Sequence, residues 1–232
     1  MRLKGALITD FKFQLKQGFY TIYALLIIMY MVVLSLLPAS YKHFVLPVLI
    51  YSDPAFVGLF FIGGIIMLEK IQGVINYLVI TPLYIKEYLL SKILSLSVLA
   101  VGAGVAITLS SGYNGYVNYA FMCLGVFLSS IFFILIGVMI VTKCHSLNQY
   151  IVYMIPPMLV LTLPCLSLFG SGYAYVWTIL PSVAGLRILR GAFAPSNTLE
   201  MICLLVYLLL WNGLLFQKVV RIFTDKIVYG GE

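Results

Sequence analysis

Histidine, cysteine, serine and paired carboxylates are the side chains on which bond chemistry would rest, and here they are few and scattered. His43 and His145 both fall in polar breaks, and neither belongs to a His-Glu-x-x-His zinc pattern. Gly170-Ser171-Gly172 holds a serine, but no histidine follows it to act as a base. Cys123, Cys144, Cys165 and Cys203 occur singly. Three of them sit where a disulfide is geometrically open, although small apolar packing is the commoner role for such thiols. No Gly-x-x-x-x-Gly-Lys-Ser/Thr loop exists to cradle a phosphate, and Leu109-Ser110-Ser111-Gly112 echoes an ATPase signature without that companion. The residues point away from catalysis: no cofactor, metal or ATP site is expected on this chain.

The elements that would position any site are apolar. Of 232 residues, 63% are hydrophobic and 9% charged, whereas a soluble domain carries about 25% charged residues. One water-soluble core cannot hide so much apolar surface. A spanning helix needs roughly 20 apolar residues, and the sequence predicts six spans, at about residues 19–37, 55–68, 93–110, 119–142, 150–169 and 199–217. The boundary of the second is open, because the apolar stretch 44–51 precedes the Ser52-Asp53-Pro54 break. The expected fold is therefore a single all-α membrane domain over 1–232, with six transmembrane helices.

Basic residues orient the spans, since lysine and arginine are retained on the cytoplasmic side during insertion. With the N-terminus inside, the inner segments hold Arg2, Lys4, Lys12, Lys16, Lys70, Lys86, Lys92, Lys143, Lys218, Arg221 and Lys226, and the outer ones only Lys42, Arg187 and Arg190. Making residues 71–85 a seventh span inverts every later loop and leaves seven basic residues on each side, so six spans with both termini cytoplasmic is the better reading. The net charge of +7 then reflects topology and anionic lipid; nucleic acid would need a clustered patch.

Residues 1–18 predict an interfacial helix on the inner leaflet. Leu3, Leu7, Phe11 and Leu15 recur every four positions, with Lys4, Lys12 and Lys16 on another face; a mere topogenic basic tail is the plainer alternative. The first apolar run begins too late and runs too long for a cleaved signal peptide. Gly63, Gly64, Gly102, Gly104, Gly125 and Gly137 read as close helix packing. Pro156, Pro157 and Pro164 predict a kink or local break in the fifth span, either lining a pathway or simply packed. Residues 170–198, with Arg187 and Arg190 three apart, predict a short re-entrant or interfacial helix at the outer face before the sixth span.

The inner segment 69–92 is the most structured cytoplasmic piece. Thr81 then Pro82 suit an N-cap and first helical position, so a helix is expected from Pro82. Residues 71–80 are too apolar to be a free loop, and either two helix extensions cover each other or a partner docks there. Glu69 closing the second span, then Lys70, Gly73, an apolar run, Thr81-Pro82, and Glu87-Tyr-Leu-Leu-Ser-Lys92 entering the third, resembles the type-2 permease family of ATP-binding-cassette (ABC) exporters. The strings Asp10-Phe-Lys-Phe-Gln-Leu-Lys-Gln-Gly-Phe19 and Ser52-Asp53-Pro54 before Phe60-Phe61-Ile62-Gly63-Gly64 are similar to permeases for fluoroquinolone export.

That resemblance implies a bacterial plasma-membrane permease paired with a second permease, identical or different, and energised by two separate cytoplasmic ATPase subunits that carry the ATP and Mg. Segment 69–92 would be the coupling element, with Glu69, Lys70, Gly73, Thr81, Pro82, Glu87 and Lys92 in docking and helix geometry, and the amphipathic N-terminus would share the load. Substrate would pass the dimer interface along spans one, two and five. An apolar wall suits amphiphilic or hydrophobic cargo. Two rival functions stand beside it: an ATP-independent channel or secondary carrier, disfavoured by the lack of midplane charges and inverted repeats, and a non-transporting membrane assembly protein.

Overall fold

A computed structural model describes residues 2–53, 58–75, 84–165, 177 and 179–225. Among them the chain is all helical, with nine α-helices and no strand: α1 (Arg2–Lys16), α2 (Phe19–Leu36), α3 (Ala39–Asp53), α4 (Leu59–Ile71), α5 (Ile85–Ser110), α6 (Tyr119–Val141), α7 (Leu147–Thr162), α8 (Pro181–Ala192) and α9 (Thr198–Phe223). Four of these, α2, α5, α6 and α9, are long and apolar enough to cross a membrane.

Local chemistry sets the helix ends. Polar side chains cap three N-termini: Asn118 accepts from the Phe121 N–H, Ser146 from Gln149 and Asn197 from Leu199. Pro181 opens α8, where its missing N–H costs nothing. Gly18, at φ 77°, turns the chain between α1 and α2 in the left-handed region that other residues avoid. The expected helix start at Pro82 is corrected: Tyr84 is extended, α5 begins at Ile85, and the Glu87 carboxylate accepts from the Tyr84 N–H at 3.1 Å. The Glu87 carboxylate thus caps the helix at Ile85, and Thr81 and Pro82 themselves lie outside the described residues.

α6 is the hub and touches α4, α5, α8 and α9. Small residues let neighbours close on it: Gly137 faces Ile62 and Tyr150, and Gly125 faces Ile188. The bundle has two distinct ends. At one end, Tyr88 of α5 packs on Phe223 of α9, and α1 lies against α5. At the other, Lys42 donates to the Ser111 carbonyl at 2.7 Å, the Asn118 N–H to the Ala192 carbonyl, and Arg187 pairs with Glu200 at 2.5 Å.

Helices α3 and α4 run in series between those ends, from Lys42 beside Ser111 to Glu69 beside Lys92. α8 comes up from the opposite end to meet the close of α3, where the Tyr51 hydroxyl donates to the Ser182 carbonyl at 2.6 Å. The expected outer helix carrying Arg187 and Arg190 thus packs inward, and its residues from Pro181 to Gly185 are all buried. α7 continues through Pro156 and Pro157 as one helix, so no break occurs there; Pro164 falls just after it.

Candidate functional site

Among the described residues, the one concentration of buried charge lies at the α1 end of the bundle. Lys92, on the second turn of α5, is 1% exposed. Its ammonium is 2.8 Å from Asp10 Oδ1 of α1 and 2.6 Å from Glu69 Oε1 on the last turn of α4. An isolated buried ion is costly and persists only when paired and hydrogen-bonded. Each carboxylate's second oxygen accordingly accepts a hydroxyl: Tyr88 donates to Glu69 Oε2, and Ser91 donates to Asp10 Oδ2. The Lys92 ammonium also rides 4.6 Å from the Tyr88 ring centroid, a cation–π contact.

Helical spacing assembles the cluster. Asp10 and Gln14 are one turn apart on α1, and Ser91 and Ser95 are one turn apart on α5, so the two stripes meet twice, the second time as Gln14 Nε2 donating to Ser95 Oγ at 2.7 Å. The cluster therefore rivets three elements together, with α9 joined through Tyr88 and Phe223. The four carboxylate oxygens of Asp10 and Glu69 are all engaged by Lys92, Ser91 and Tyr88. The cluster holds no free nucleophile and no vacant metal coordination, and no metal-ligating group of His, Cys, Asp and Glu exists among the described residues. What such an arrangement can do is mechanical: it makes α1, the end of α4 and the start of α5 move together.

The predicted residues fall as follows. Glu69 and Lys92 come together in the cluster. Lys70 is exposed one residue on, Gly73 takes φ 70° where α4 ends, and Glu87 caps α5. Lys4, Lys12 and Lys16 are exposed on α1, and Phe11 is half buried. On α1 Leu15 is 60% exposed, while Asp10 and Gln14 are turned inward against α5. Sequence reasoning missed Asp10. Its only sequence signal is a weak one: it is the sole acid in the first fifty-two residues. Pro156 is exposed, while Pro157 and Pro164 are half buried.

Cys144, in the turn between α6 and α7, is 2% exposed and its thiol donates to the Ile140 carbonyl. Burial pushes its pKa up against the opposing pull of Lys70. The four cysteines are unbridged.

Among the described residues, an all-helical, apolar bundle with four helices long enough to cross a bilayer and a charged rivet at one end defines a membrane-embedded protein. Comparison with known proteins agrees. The fluoroquinolones export permease protein family matches residues 1–230, and the chain belongs to that family. Two relatives named fluoroquinolones export permease proteins, from the CDC 1551 / Oshkosh and H37Rv strains of Mycobacterium tuberculosis, are each 28% identical over 195 residues, covering 83% of this chain and 81% of theirs.

Proposed function

We propose that this chain is the membrane permease of an ATP-driven ABC exporter, crossing a bacterial plasma membrane six times and drawing power from separate ATPase subunits that dock on segment 69–92. The observation that carries this reading is the Asp10–Lys92–Glu69 cluster. It fastens both ends of that segment to each other and to α1, so a push delivered to the segment from outside reaches three elements at once. A chain with no phosphate loop in its sequence needs such an input.

Six crossings follow if α2, α3 with α4, α5, α6, α7 and α9 each traverse the membrane and α8 dips in and returns. The basic residues Lys42, Arg187 and Arg190 then share the outer face, and the cluster sits at the inner one. Fluoroquinolones, which the relatives' names specify, are the proposed cargo class within the wider set of amphiphilic drugs. A second permease would pack on the exposed apolar sides of α2 and α7, where Leu25, Ile28, Val152 and Ile155 face outward. Pro156 and Pro157 leave the carbonyls of Val152 and Tyr153 without their usual helical donors, which a pathway or a partner satisfies better than lipid.

Purification of the chain with any ATPase encoded beside it tests the proposal. A stable complex is expected, with transport lost on Glu69→Gln or Pro82→Ala; no complex, and no effect of either change, would refute it.

A further inference from the structure

Between α1, α2 and α5 lies an apolar groove of roughly 430 Å³, walled by Phe11, Tyr20, Tyr23, Ile27, Leu99 and Gly102. That size lies within the 300–1,000 Å³ range usual for ligand sites. Along α2 the groove is lined from Tyr20 to Ile27, and its far end lies about 13 Å from the Gly18 corner at 1.5 Å per residue. This is close to the depth of one leaflet, half of a ~30 Å hydrocarbon core. The wall at Phe11 continues into an exposed face of α1 where Ile8 and Leu15, 47% and 60% exposed, stand among Lys4, Lys12 and Lys16. The sole acid of α1, Asp10, is turned inward and consumed by Lys92. An apolar slot one leaflet deep thus opens beneath a helix whose outer face is cationic and carries no counter-charge of its own.

We infer that the groove holds one acyl chain of an anionic phospholipid whose phosphate sits on Lys12 and Lys16. The lipid takes its place as an integral part of the α1–α2–α5 corner. This rests on α1 lying at a membrane surface and is independent of ATP or cargo, so its failure would leave the exporter reading standing.

Gly102 supplies a clean test, because it lines the groove and a Cβ built there meets nothing within 4 Å, so a leucine side chain has room to start into the groove and narrow it. The full-length protein carrying Tyr20→Trp, with Trp177→Phe and Trp211→Phe to remove the native indoles, is placed in nanodiscs of phosphatidylcholine doped with brominated phosphatidylglycerol or brominated phosphatidylcholine. Brominated phosphatidylglycerol is expected to quench at least threefold more strongly at equal mole fraction. Lys12→Gln with Lys16→Gln should erase that preference, and Gly102→Leu should reduce quenching by both lipids. Equal quenching by the two lipids overturns the proposal in favour of an ordinary lipid boundary. No quenching by either assigns the groove to a second copy of the chain, and relief of quenching by a fluoroquinolone assigns it to cargo; both also overturn it. If Tyr20→Trp fails to fold, Val98→Trp on the opposite wall serves with the same outcomes.

Discussion

Lys92 shows how a single ion can organise one end of an apolar bundle. Two carboxylates share its ammonium, and each is completed by a hydroxyl. Removing the lysine leaves two carboxylates facing each other in a buried site, so Lys92→Met should destabilise the protein by about 3 to 5 kcal/mol, the usual cost of breaking a buried pair. Asp10→Asn should cost less, because Lys92 and Glu69 still balance. In the double variant one of the two orphaned carboxylates is gone, so its loss should fall short of the sum of the singles. Thermal unfolding in detergent measures all three, and strict additivity would mean that the groups do not interact. Cys144 yields a second residue-scale prediction. Its thiol is buried with a raised pKa, so less thiolate is present at pH 8 than for an ordinary cysteine, and maleimide labelling should be slow and rise with pH. His145→Cys, at an exposed position one residue on, should label rapidly. Glu69 and Lys92 were legible through the wording of the inner segment. Asp10 was not, because an isolated acid beside lysines reads as a solvated helix face until the helix facing it, with Ser91 and Ser95 in register, is known.

Among elements, the packing of α4, α6 and α7 turns on two adjacent glycines with opposite surroundings. The Tyr150 ring lies against Gly63, where an added Cβ would come within 2.0 Å of it, and its hydroxyl donates to the Leu59 carbonyl; Gly64 has open space. Gly63→Ala should therefore displace a fully buried tyrosine and lower the melting temperature markedly. Gly64→Ala should leave it unchanged or raise it, since alanine is favoured over glycine in a helix by about 1 kcal/mol. Equal effects of the two would refute this packing. Caps and helix limits were readable where polar residues stand alone against apolar runs: the expected span limits at 110 and 119 coincide with the end of α5 and the start of α6. The start of α5 was misread because Thr81-Pro82 is a strong local signal, whereas the Glu87 cap that places it at Ile85 depends on one weak hydrogen-bonding residue. The series of α3 and α4 was left open, since Ser52-Asp53-Pro54 reads as a loop edge and the apolar stretch before it is too short to count as a span on composition alone.

At the scale of the whole molecule, the uneven basic residues already pointed to two unlike ends, and the structure gathers Lys42, Arg187 and Arg190 near one of them and Lys92 at the other. What sequence could not supply is the mechanical connection, because it depends on which helices touch: α1 meets α5 across about eighty residues of chain, and no periodicity within either helix reveals the other. The topology predicts that cysteines introduced for Lys70 and Lys86, both exposed, react with a membrane-impermeant maleimide only from the cytoplasmic side, while Tyr116→Cys at the opposite end reacts only from outside. Labelling of 70 or 86 from outside would invert the arrangement. The claim on which everything turns is that outside power enters through the riveted end. Its most direct measurement is fluoroquinolone uptake into inside-out vesicles containing this chain and the proposed partner ATPase, compared with the Lys92→Met variant. The prediction is ATP-dependent uptake that ceases in the variant while the ATPase stays bound; uptake without ATP, or unchanged in the variant, would contradict it.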